Sequence, residues 1–215
     1  MKGFLMNFKF GNCSAAVVAL ATTCGPAWAD LSGQDIWSDW VAYMSSNGYE
    51  VTGAESQSGN TLTVSEVTMA LAAPDDAEMT VILRADKIEF QENGDGSVSI
   101  MLPAVMPMEI AATDAGSEMS GVVNIEQSGM SMTATGSSSD LTYTYIAPSM
   151  VAQLQSMTVD GADMSSNIKF SAKMTNLGGS TKMAIDEQRV ATQVVSADSL
   201  SYDVELNDPE SNDGG

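Results

Sequence analysis

The sequence predicts a mainly β protein, an antiparallel meander forming a curved open sheet, a sandwich or a barrel, with one N-terminal amphipathic helix after a signal peptide. Three observations predict it. Apolar residues recur at every second position over most of the chain. Clusters of Gly, Asn, Asp and Ser separate these runs at intervals of roughly eight to twenty residues, as hairpin turns do. Helical periodicity is confined to one stretch near the N-terminus, so parallel strands would lack crossover helices.

The first 29 residues have the order of an export signal. Lys2 and Lys9 supply a basic end, Ala15 to Ala21 an apolar run, and Ala27-Trp28-Ala29 an A-x-A cleavage site before Asp30. The run falls short of the roughly 20 apolar residues that span a bilayer. Lipidation of Cys24 as the first mature residue is a competing reading, but Thr22 and Thr23 suit that processing poorly. The expected location is therefore periplasmic or secreted. Cleavage removes Cys13 and Cys24, leaving a chain with no thiol or disulfide. Residues 30–206 are long enough for one β-rich domain with one core, and the polar, acidic residues 207–215 read as a disordered tail.

Charge limits the partners. Losing Lys2 and Lys9 from eight basic residues leaves six against 28 acidic ones, a net charge of −22. Such a field repels nucleic acid and anionic lipid surfaces, and its ordinary meaning is a solvated acidic exterior.

The helix is expected over about residues 32–47. Ser32 and Asp35 have the spacing of a capping box, and Ile36, Trp37, Trp40, Val41 and Met44 share one stripe. Gly48 supplies the left-handed stop. That stripe must be buried, and packing on the sheet as a lid or plug is the ordinary outcome. Contact with a ligand or a membrane through Trp37 and Trp40, with Met44 beside them as a ligand-binding candidate, is the sharper alternative.

From Tyr49 the period becomes 2. Clear strands are Ser97–Leu102, Leu141–Tyr145, Ile168–Thr175 and Ser199–Leu206, each with one apolar face, so each reads as half-buried. Weaker candidates are Tyr49–Ser56, Thr61–Ala70, Met79–Phe90, Met106–Ala112, Val122–Gln127, Met130–Thr135, Val151–Val159, Thr181–Asp186 and Val190–Ala197. Tight hairpins are expected at Ser58-Gly59-Asn60, Asn93–Gly96, Gly136–Asp140, Asp160-Gly161 and Gly178-Gly179, because these residue types tolerate positive φ.

Asp30 at the mature start, Asp35-Ile36-Trp37-Ser38-Asp39-Trp40, Gly48-Tyr49-Glu50-Val51-Thr52, Gly59–Val64 and Glu92–Val98 together resemble the DUF2125 family of exported alphaproteobacterial proteins. The chain resembles the N-terminal portion of its members. The resemblance implies a periplasmic, β-rich protein and carries no activity, cofactor or site residues, because the family's function is unknown.

Several chemistries are excluded by composition. Without histidine there is no Ser-His-Asp triad and no H-E-x-x-H zinc site, and no Gly-rich phosphate cradle is present. Ser166 and Lys169 fit S-x-x-K, but that chemistry needs one helical turn between them, and here the spacing lies in a strand pattern. The acidic loops Asn93–Gly96 and Asp160–Asp163 lack the distal Glu of a calcium loop and read as turns. Met106, Met108, Met130 and Met132 put paired thioethers on strand faces, which suits Cu(I), although core filling is the ordinary role of methionine.

The expected function is a non-catalytic envelope protein that binds a partner or an apolar ligand through its sheet, without a cofactor. The alternatives are a glycan hydrolase working through two carboxylates and a Cu(I)-binding protein. An outer-membrane barrel would need an outward apolar band bounded by aromatics, and the aromatics here are few. On export from a bacterial host, the intact mass of the mature protein is expected to begin at Asp30. Retention of the leader, or a lipid adduct on Cys24, would contradict this reading.

Overall fold

A computed structural model describes residues 31–72, 78–114, 116–185 and 189–207. The leader, both cysteines and all but the first residue of the expected tail lie outside these residues. The described chain is one helix, α1 (Gly33–Ser46), and twelve strands in one antiparallel sheet: β1 (Tyr49–Ser58), β2 (Thr61–Ala72), β3 (Glu78–Glu92), β4 (Val98–Met101), β5 (Val105–Asp114), β6 (Ser117–Ser128), β7 (Ser131–Ser137), β8 (Asp140–Val159), β9 (Ala162–Asp163), β10 (Ile168–Ile185), β11 (Arg189–Ser196) and β12 (Ser199–Leu206).

The helix begins as its capping residues dictate. The Asp35 amide donates to Ser32 Oγ at 3.1 Å, and the Ser32 amide donates to Asp35 Oδ2 at 3.0 Å. Another free N-terminal amide, that of Gly33, is satisfied by Glu92 Oε1 at 3.1 Å. Gly33 must be glycine because a Cβ there would meet Phe90 Cβ at 2.9 Å, so the helix rests directly on β3. Gly48, at φ +86°, turns the chain into β1.

The sheet is an up-and-down meander of eight rows in chain order. β4 and β5 lie end to end as one row between β3 and the row that β6 and β7 share, and β11 and β12 lie end to end along β10. Among the described residues β1 pairs only with β2, and β11 and β12 pair only with β10, so the sheet is open. It is also curved. β2 and β11 are six rows apart, about 29 Å across a flat sheet at ~4.8 Å per row, yet both line one cavity.

One level of the sheet carries a crease. The β1 register shifts between Thr52 and Ala54, the β2–β3 ladder omits Glu66 opposite Asp86, and the β8–β10 ladder omits Pro148 opposite Asn176. Glu66 and Asn176 have φ of 53° and 47°. The split rows break nearby, and there Gln127 closes the hydrogen-bond account: its side chain donates to the carbonyls of Leu102 and Pro103 at 3.1 and 3.2 Å and accepts from the Met130 amide at 3.0 Å. At this level the alternation inverts. In β2 the buried residues are Leu62 and Val64 before it and Val67 and Met69 after it; in β3, Ala85 gives way to Ile88 and Phe90.

These observations correct the strand boundaries expected from sequence. Leu141–Tyr145 and Val151–Val159 are parts of the single strand β8, and Ile168–Thr175 and Thr181–Asp186 run together in β10, with Asp186 itself outside the described residues. Gly178-Gly179 is not a hairpin but mid-strand. The physical reason is the crease: Pro148 and the left-handed Asn176, unpaired opposite each other, break the period on both strands without shifting the register or ending the ladder.

The core fills the end of the trough under α1. Ile36 and Trp37 pack there with Phe90, Ile88, Val98, Ile100, Leu141 and Tyr143, and the Trp40 ring meets Phe90 edge-on at 5.4 Å between centroids. The other end has no covering layer among the described residues. The apolar face expected to be half-buried in Ser199–Leu206 is exposed, with Leu200 at 68% and Tyr202 at 76%. Alternation fixes which way a side chain points, not whether anything packs on it. Phe90→Ala is expected to cost about 3–5 kcal/mol, read as a lower midpoint in urea denaturation, whereas Val194→Thr on the outer face is expected to change it little.

Candidate functional site

Beneath the helix the bent sheet leaves a cavity of about 650 Å³. Trp40, Tyr43 and Met44 of α1 form its roof. Val67, Met69, Leu83, Ala85 and Ile88 form one wall, and Leu177, Thr181, Met183, Ala191 and Gln193 the other. Seven methionines face into it: Met44, Met69, Met106, Met130, Met132, Met150 and Met183. They are half of the fourteen that follow the leader. Unbranched thioether side chains adapt their shape to an irregular apolar guest.

The sequence-derived candidates separate here. Trp40 and Met44 line the cavity, but Trp37 does not; it is 3% exposed and its indole N–H donates to Glu55 Oε1 at 2.7 Å. Met106, Met130 and Met132 line the cavity. Met108 is paired in register with the cavity residue Leu83, so it belongs to the same face further along the trough.

One polar cluster joins the helix to the far wall. Arg189 Nη2 of β11 donates to Asp39 Oδ1 of α1 at 2.5 Å, with the two side chains 22% and 8% exposed. Tyr143 donates its hydroxyl to Asp39 Oδ2 at 3.3 Å, and the Arg189 guanidinium lies 5.2 Å from the Tyr43 ring centroid. Burial, helped by the Asp39 carboxylate, pushes the Tyr143 phenol well above its ordinary pKa, so it remains a donor throughout the neutral range. α1 packs on β1, β2 and β3, so this cluster makes it a strap across the trough. Sequence reading missed it. The available signal was an acid, Asp39, beside the apolar stripe of a helix in a chain with few cations.

Asp39 is the only carboxylate among the described residues that line the cavity, and it is engaged by Arg189. Elsewhere, Glu109 is held below its ordinary pKa by the hydrogen bond from Arg84, but that pair is open to solvent. The described residues contain no group of three or more His, Cys, Asp or Glu side chains placed to hold a metal ion. None of their helices is long and apolar enough to cross a membrane.

No family model matches this chain, and neither a curated protein nor a solved structure shows significant similarity to it. Asp39→Ala leaves Arg189 without its partner and is expected to cost about 3 kcal/mol. The double replacement Asp39→Ala with Arg189→Ala is expected to recover part of that loss. Equilibrium denaturation of the four proteins in the cycle checks this, and additive losses would show that the two residues are uncoupled.

Proposed function

We propose that this is an exported envelope protein of the DUF2125 type that holds an apolar small molecule under its helix, without catalysing a reaction on it. The observation that carries the reading is the cavity itself. Its volume falls within the ~300–1,000 Å³ of ordinary ligand sites, and its lining is almost wholly hydrocarbon and thioether. Export is supported by the order of features in residues 1–29.

Binding is favoured over glycan hydrolysis because that reaction needs two facing carboxyl groups, and Asp39 has none opposite it among the cavity residues. The concentration of thioethers also favours a second ligand class, Cu(I). Titration of the mature protein with Cu(I) against a weak chelator of known affinity separates the two, since an apolar-ligand site is expected to take no Cu(I) from it.

The direct test uses Nile red, an uncharged dye that brightens in apolar surroundings. Mature protein is expected to bind it with saturation. Ala191→Trp, which adds bulk to the cavity from the exposed side of β11, is expected to weaken binding at least tenfold with an unchanged melting temperature. Absence of saturable binding by the unaltered protein would overturn the reading.

A further inference from the structure

The crease turns the apolar alternation of the open half toward the same side as the cavity. Met150 lines the cavity, pairs in register with Met174 of β10, and Met174 pairs with Leu200 of β12. Residues directly opposite across a ladder share a face, so the cavity floor runs without interruption onto Phe170, Leu200, Tyr202 and Val204. The charged residues of these segments, Lys169, Lys173, Asp203 and Glu205, alternate with them and occupy the other face, where Lys169 Nζ lies 2.9 Å from Glu205 Oε2.

The dimensions extend the contrast. β10 has eighteen residues, about 59 Å at ~3.3 Å each, whereas α1 has fourteen, about 21 Å at ~1.5 Å each. Among the described residues much of the trough therefore has no helix over it, and side chains in that part are exposed to an extent rare for a contiguous apolar face.

Resting on the ligand reading above, we infer that the site is longer than its cavity and takes an elongated, uncharged hydrocarbon chain, one end under α1 and the remainder along the open trough. Charge selects this occupant. Among the described residues the open part of the face, with Phe170, Met174, Leu200, Tyr202 and Val204, carries no ionised group to pair with a charged partner, and a second copy would bring another strongly acidic chain toward it. A chain headed by a neutral group meets neither obstacle.

Displacement of Nile red by monoacylglycerols from octanoyl through stearoyl, kept below the concentrations at which they self-associate, tests the inference. Affinity is expected to continue rising after the cavity is filled, by up to about fourfold per methylene. Leu200→Glu and Tyr202→Glu, at exposed positions, are expected to weaken stearoyl binding about tenfold and leave octanoyl binding unchanged. Affinity that levels off at a short chain, with both variants silent, would overturn the extended site while leaving the cavity reading intact. Failure of every chain to displace a dye that binds would also overturn it, whereas failure of the dye itself to bind sinks the cavity reading first. Light scattering provides the remaining arm: a monomer is expected, and a dimer abolished by Leu200→Glu would assign the face to a second copy.

Discussion

A sheet one layer thick has two faces, and this molecule depends on keeping only one of them apolar along rows that bend. A long strand pairs most simply when its side chains alternate without interruption, but at the crease residues drop out of the ladders, and the alternation inverts across each such break. The sequence matches that inversion. Val64 and Val67 in β2, Ala85 and Ile88 in β3, and Ala147 and Met150 in β8 each change parity where the backbone does. Had one row kept strict alternation, half of its apolar residues would lie on the polar side. The packed core, the cavity and the open trough all follow from this agreement between backbone and sequence.

The same feature explains what was legible in the chain. The helix and its ends could be read because their determinants are local: Ser32 with Asp35, the stripe from Ile36 to Met44, and Gly48. Most hairpins could be read for the same reason. Each of the two long strands β8 and β10 looks like two in the sequence because a loss of period resembles an end, and Gly178-Gly179 resembles a turn, when nothing local reports that the neighbouring rows continue beside it. Curvature was equally hidden, since it depends on ladder irregularities in several rows occurring at one level.

The site was legible in its chemistry but not in its assembly. Trp40, Met44, Met106, Met130 and Met132 stood out as residues with more than one possible role, and the fold brings them to one space. Trp37 looked equivalent to Trp40, yet the two differ by their position around the helix: one enters the core and bonds Glu55, and the other faces the void. The Asp39–Arg189 contact joins residues 150 positions apart, a separation across which no periodic pattern gives information. The ion pair is also the least ordinary part of the cavity, because it places charge at the roof of an otherwise oily space. Its role is mechanical, fastening the helix to a wall on which it would otherwise have few contacts.

The bend is made by unlike means in the different rows: a glycine in β1, a left-handed glutamate in β2 opposite an unpaired aspartate in β3, a proline in β8, a left-handed asparagine in β10, and breaks between strands in the split rows. Shape is thus a collective property here, held redundantly by many small irregularities. Straightening any one would leave its neighbours still imposing the angle, and the altered strand would have to follow them or lose its hydrogen bonds. For a protein that presents an oily surface to water, that redundancy guards against flattening, the form in which such surfaces most readily stack upon one another.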